Sequence, residues 1–313
     1  MWRDIDPRAE ERERPDTGLG RVGGYSDTNP GHGSEDPRDV FTRELELPRG
    51  TSRERVRVNG REYRLSGEDV RVLATVGAFR VVPAADLREP NPRTPTRPAR
   101  DLERLRELGL VRTAPYVVGR SRTTLITLTG SGRNLLEGAR RPGPAGERQA
   151  FHVGINKPRE LAHDSRVYSA YTKAAERLAE RGDTVRRVVL EEDLKRDYQR
   201  FLQAKNRACR ERGESPDERE RAIARWAQEH QLPYEDGHVQ FPDARIEYDT
   251  RDGRRAVEDI EVVTPHYRGA HAAAKVRAGF SRYRASGARL GGLRTTGRSG
   301  RGVDPRLAEE LLS

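Results

Sequence analysis

The chain has 313 residues, 60 Lys+Arg against 50 Asp+Glu, a net charge of +10 and 33% hydrophobic residues. With a pI near 10.0 and a mean hydropathy of −0.94, it is too polar to pack along its whole length as one core, so part of it is expected to be disordered. No apolar run approaches the ~18 residues that span a bilayer, and the single cysteine, Cys209, excludes an intramolecular disulfide framework.

All but five of the basic residues are arginine; the lysines are at 157, 173, 195, 205 and 275. The planar guanidinium suits phosphate, and the basic balance suits a polyanionic partner, although arginine bias also follows from a GC-rich genome. The charged N-terminus "MWRDIDPRAEERERP" is unlike a signal peptide, and one cysteine fits a reducing cytoplasm. A soluble cytoplasmic protein with no membrane partner is expected.

Residues 1–60 combine mixed charge with Gly, Pro, Asp and Ser and almost no apolar period, and read as a disordered arm from which "DVFTRELELPRG" docks. From 61 to 138 the pattern is regular. "SGEDVRVLATVGAFR" has Ser66 as N-cap and Val70, Leu73, Ala74 and Gly77 at helical spacing. "VVPAADLRE" reads as a short second helix with Pro83 in its first turn. "TRPARDLERLRELGLV" carries a stripe of Leu102, Leu105 and Leu108 and ends at Gly109 as C-cap. Two strand-like runs, "LVRTAPYVV" and "RTTLITLT", precede a last helix near "TGSGRNLLEGAR". The order helix, helix, helix, strand, strand, helix is that of a winged helix-turn-helix.

The stretch "GARRPGPAGERQ" reads as a linker (139–150), and the second region covers 151–290. "AHDSRVYSAYTKAAERLAERGD" is a helix by the recurrence of Val167, Ala170, Tyr171, Ala174 and Leu178. The strand "TVRRVVLEEDL" leads into a charged helical hairpin inserted at 191–230, with its loop near "GESPDE". Then "PDARIEYDTRDGRRAVEDIEVV" forms a β-hairpin, and "GAHAAAKVRAGFSRYRA" a closing helix. A two-residue loop would set Asp243 opposite Val262. A three-residue loop with a bulge at Gly253 would set it opposite Glu261, both carboxylates on one face. Two acids and a neighbouring carbonyl can hold Mg²⁺, which polarises a phosphate oxygen and lowers the pKa of the attacking water. Residues 291–313 form a flexible basic tail; between Lys275 and Arg306 nine basic residues face the single acid Asp304.

"LERLRELGLV…LITLTGSGRNLL" resembles the MarR-like winged-helix families. The resemblance implies that Arg97, Arg100, Arg104 and Arg106 lie on a helix in the major groove of double-stranded DNA, and that Arg120 and Arg122 at the wing meet phosphate or the minor groove. Residues 111–141 hold six arginines and one acid, Glu137. The second region resembles the PD-(D/E)xK nuclease superfamily, a restriction-endonuclease-like α/β fold. That likeness implies Asp243 and Glu261 as metal ligands and catalytic acids, with Mg²⁺ as cofactor. The lysine expected two residues beyond the glutamate is replaced by Val263, and Lys275 takes that role in this reading. "HD" at His163-Asp164 reads as a helix cap.

The two regions together, over about 66–285, resemble the replication-relaxation family of plasmids, conjugative elements and phages. The resemblance implies a DNA-binding accessory protein of a mobile element, partnered by double-stranded DNA and by a relaxase or similar protein. The alternative is a winged-helix transcriptional regulator whose second region is an inactive dimerisation or sensing module, and a Mg²⁺-dependent endonuclease stays open.

Overall fold

A computed structural model describes residues 36–87, 98–118, 121–143, 148–155, 161–212, 215–263, 277–284 and 289–291. It is a mixed α+β structure. The first described element is a 3-10 turn at Asp39–Thr42 whose Val40 and Phe41 are buried. β1 (Glu54–Val58) and β2 (Arg61–Leu65) follow as an antiparallel hairpin. Asn59 and Gly60, at φ 50° and 77°, close it with the left-handed pair that a tight two-residue turn demands. The disordered arm expected through residue 60 is therefore corrected: residues 36–60 are folded, because Phe41, Leu45 and Val56 bury apolar surface in the main core.

α1 (Gly67–Phe79) starts at Ser66 in a full capping box: the Ser66 N–H donates to Asp69 Oδ2 at 2.8 Å, and Ser66 Oγ accepts from the Asp69 N–H. The second helix expected at "VVPAADLRE" is not formed over its described residues, 81–87. Val81–Pro83 is a strand, β3, antiparallel to β5, and residues 84–87 form a turn. Two β-branched side chains at 0% exposure fill the core there, and Pro83 is tolerated because β3 is an edge strand. α2 (Pro98–Glu107) ends at Gly109, φ 68°, with Leu110 N–H donating to Leu105 O and Gly109 N–H to Arg106 O, the paired bonds of a Schellman motif. β4 (Val111–Val118) and β5 (Ser121–Leu128) pair antiparallel in a sheet of order β3-β5-β4, and α3 (Gly130–Gly138) follows, capped by Thr129.

The expected linker is tied at both ends. Arg140 lies over the Phe151 ring at 4.7 Å, and the Gln149 amide exchanges two 2.9 Å hydrogen bonds with the Val188 backbone. α4 (Leu161–Glu180) buries Val167, Ala170, Tyr171, Ala174 and Leu178, and β6 (Thr184–Leu190) enters a second sheet. α5 (Glu191–Arg212) and α6 (Pro216–Glu229) form the inserted helical hairpin. With the small hairpin β7 (Tyr234–Glu235) and β8 (His238–Val239), they enclose a satellite core around Leu194, Trp226 and Leu232. β9 (Ala244–Asp249) and β10 (Arg255–Val263) are antiparallel, β11 (Ser281–Arg284) is parallel to β10, and β12 (Arg289–Gly291) closes a sheet of order β12-β11-β10-β9-β6.

Ser281–Arg284 was expected to be helical and is a strand. Gly279 at φ 76° stops the preceding turn, and the fully buried Tyr283 pairs in register with Val262. The described residues fall within one compact unit. The two expected regions share a single core through Phe41, Phe79, Tyr168 and Tyr171, whose rings meet with centroids 4.9–6.2 Å apart.

Candidate functional site

The β9–β10 hairpin closes through Arg251, Asp252 and Gly253, with Gly253 at φ 78° and Thr250 N–H donating to Arg254 O at 2.8 Å. That is the three-residue option, and the register runs from Asp249 opposite Arg255 to Ala244 opposite Ile260. At Asp243 the ladder departs by one residue. Its N–H donates to Ile260 O at 3.0 Å, and its carboxylate Oδ2 accepts the Val262 N–H at 2.7 Å. The side chain thus stands where a backbone carbonyl would continue the sheet, and Asp243 grips the residues on both sides of Glu261. Glu261 is itself buried, at 1% exposure, and its register partner on β11 is Arg282, also buried.

His163, in the first turn of α4, completes this group. Its Nε2 lies 2.8 Å from Asp243 Oδ2 and its Nδ1 3.3 Å from Asp164 Oδ1. Burial opposes charge on the ring, but the hydrogen bonds and fields of Asp164 and Asp243 outweigh it and push the pKa up to about 10. At neutral pH the ring is an imidazolium lodged on the Asp243 carboxylate. His163 is not the helix cap that its sequence context suggests. A His-Asp dipeptide is weak as a signal, and nothing in the local pattern ties it to an acid 80 residues away.

As arranged, these residues do not fit Mg²⁺. Asp243 Oδ2 already takes one N–H and one imidazolium, and among the described residues no group of three or more His, Cys, Asp or Glu side chains is placed to hold a metal ion. Lys275, expected in place of the lysine missing at Val263, lies outside the described residues. Asp259, two residues before Glu261 on β10, is bound to Arg245 at 2.7 Å, and Arg245 also donates to His230 O and Gln231 O. That pair fastens the insert to the sheet.

The expected DNA-reading arginines divide. Arg104 turns inward: its guanidinium pairs with the Asp69 carboxylate, which is 1% exposed, and donates to Arg64 O at 2.8 Å. Expected to lie in the major groove, it is held here as a cross-brace, because a buried carboxylate at the α1 N-terminus draws in a nearby cation. Arg106 is half exposed and paired with Glu103 one turn earlier. Arg122 is exposed on β5, opposite the 59% exposed Val117. Arg97 and Arg120 lie outside the described residues, and so does the side chain of Arg100.

Compared with protein-family models, curated proteins and solved structures, the chain matches none. Among the described residues, no helix is long and apolar enough to cross a membrane.

Proposed function

We propose that the protein is a DNA-binding accessory protein of a plasmid or other mobile element, acting in replication, relaxation or mobilisation. The observation that carries the reading is the β3-β5-β4 sheet framed by α1, α2 and α3, with arginines 112 and 122 exposed on its long hairpin. A winged helix uses this arrangement to hold a helix and a basic wing against one duplex. The order α4, β6, insert, β9, β10, β11, with β11 parallel to β10, supports a nuclease-like second half. The imidazolium on Asp243 favours a half that binds beside the duplex without cutting it.

Gel shift of the full chain with mobile-element origin DNA, over a salt series, tests the reading. Binding that weakens linearly in log salt is expected, and no shift even at low salt rejects it. The same His163–Asp243 pair also favours the second reading, a transcriptional regulator with an inactive C-terminal half. Selection of palindromic half-sites from a random duplex pool favours the regulator, and a bound origin without dyad symmetry favours the accessory protein.

A further inference from the structure

The β1–β2 hairpin alternates in its middle. Val56, Tyr63 and Leu65 are buried, while Arg55, Arg57 and Arg64 share the exposed outer face with Glu62. In the register Arg55 stands directly opposite Arg64, and Arg57 opposite Glu62. Like charges directly across a ladder oppose pairing. The compensation is slight: Glu62 lies 3.7 Å from Arg55, and both side chains are largely in water. The face keeps an arrangement that isolated folding disfavours, which is understandable if a polyanion completes it.

We propose that this outer face is a second duplex contact, in which Arg55, Arg57 and Arg64 follow the phosphate backbone beside α2. The proposal rests on the DNA-binding reading above and names the surface that positions it. Two observations tie the hairpin to α2. Arg53 Nη2 lies 2.6 Å from Asp101 Oδ1, and Arg104, itself on α2, donates to the backbone oxygen of Arg64 at 2.8 Å. Phosphate contacts fix the register of a protein on the duplex without reading sequence. A ribbon fastened to α2 and closed by a tight Asn-Gly turn passes such a contact rigidly to the helix. Arg49, Arg55 and Arg57 also line a groove of about 540 Å³ that runs along β1, together with Glu46 and Glu54.

The test is fluorescence anisotropy of the full chain on a labelled duplex from about 50 to 200 mM salt, a range over which counterion release is readily measured. A triple Arg55→Ala, Arg57→Ala, Arg64→Ala variant loses three phosphate contacts, so the slope of log affinity against log salt should flatten by about 2.7, at ~0.9 per phosphate. The corresponding triple lysine variant should keep the wild-type slope. The single Arg57→Glu variant, on an exposed position that does not enter the core, should flatten the slope by at least ~1 and serves if the triple variant folds poorly. Wild-type binding with unchanged slopes in the alanine triple and in Arg57→Glu overturns the hairpin contact and leaves the winged-helix reading standing. A wild-type chain that does not bind the duplex at all overturns both.

Discussion

Replacing Arg104 by alanine separates a structural arginine from a reading one. The Asp69 carboxylate is 1% exposed and the Arg104 side chain 23% exposed. Removing one partner of a fully buried pair costs about 3–5 kcal/mol. Here Asp69 keeps the Ser66 N–H at 2.8 Å, the Ser66 hydroxyl at 2.9 Å and the Arg53 guanidinium at 3.8 Å. Partial solvation of Arg104 lowers the loss further, so about 2 kcal/mol is the reasoned cost. At ~2–4 °C per kcal/mol for a unit of this size, the melting temperature should fall by about 4–8 °C. Thermal unfolding followed by circular dichroism measures it, with Arg106→Ala as control. Arg106 and Glu103 are both about half exposed, and their loss should move the transition by less than ~0.5 kcal/mol. Asp69→Asn combined with Arg104→Met should recover part of the loss, because no buried charge is left unpaired. An Arg104→Ala variant that melts with the wild type but loses DNA affinity would refute the reasoning and return Arg104 to the reading face.

Three further outcomes follow from the geometry. His163 has its pKa raised from 6.5 to about 10 on folding, so its contribution to stability is fully present below pH ~6.5 and is lost as pH rises towards 10; urea midpoints should decline over that window in the wild type and stay flatter in His163→Gln, and parallel profiles would refute the pairing. Gly132→Ala places a Cβ 2.3 Å from the Leu110 carbonyl oxygen and 2.6 Å from Leu128, an overpacked contact with backbone that should cost about 3 kcal/mol or more in denaturant unfolding. Arg122→Ala should leave the melting temperature unchanged and flatten the salt dependence of duplex binding by about 1, read by anisotropy.

Much of the fold is legible where local chemistry and tertiary demand agree. Ser66 marks the start of α1 and Gly109 the end of α2, while Gly253 marks the β9–β10 turn and offers the bulged register as one of two, the one the structure takes. The Asn59-Gly60 turn in "RVRVNGREYRL" was equally readable, as an alternating run about a two-residue turn. The surrounding charge hides it, because an outer face of arginines carries the same composition as a disordered arm. Val81–Val82 and Ser281–Arg284 fail for another reason: their strand state comes from pairing with β5 and β10, which no window of neighbours contains.

Apolar periods and caps by themselves determined α1, α2, α4 and the helices of the insert, and left Asp243 facing either Glu261 or Val262 of β10, because caps, turns and apolar periods act over a few residues. Only the tertiary structure decided that Arg104 turns inward to Asp69, that His163 lies on Asp243, and that both halves share one core. Those outcomes depend on charges and rings brought together from 35 and 80 residues apart, and desolvation, which selects such partners, exists only once the chain has closed around them.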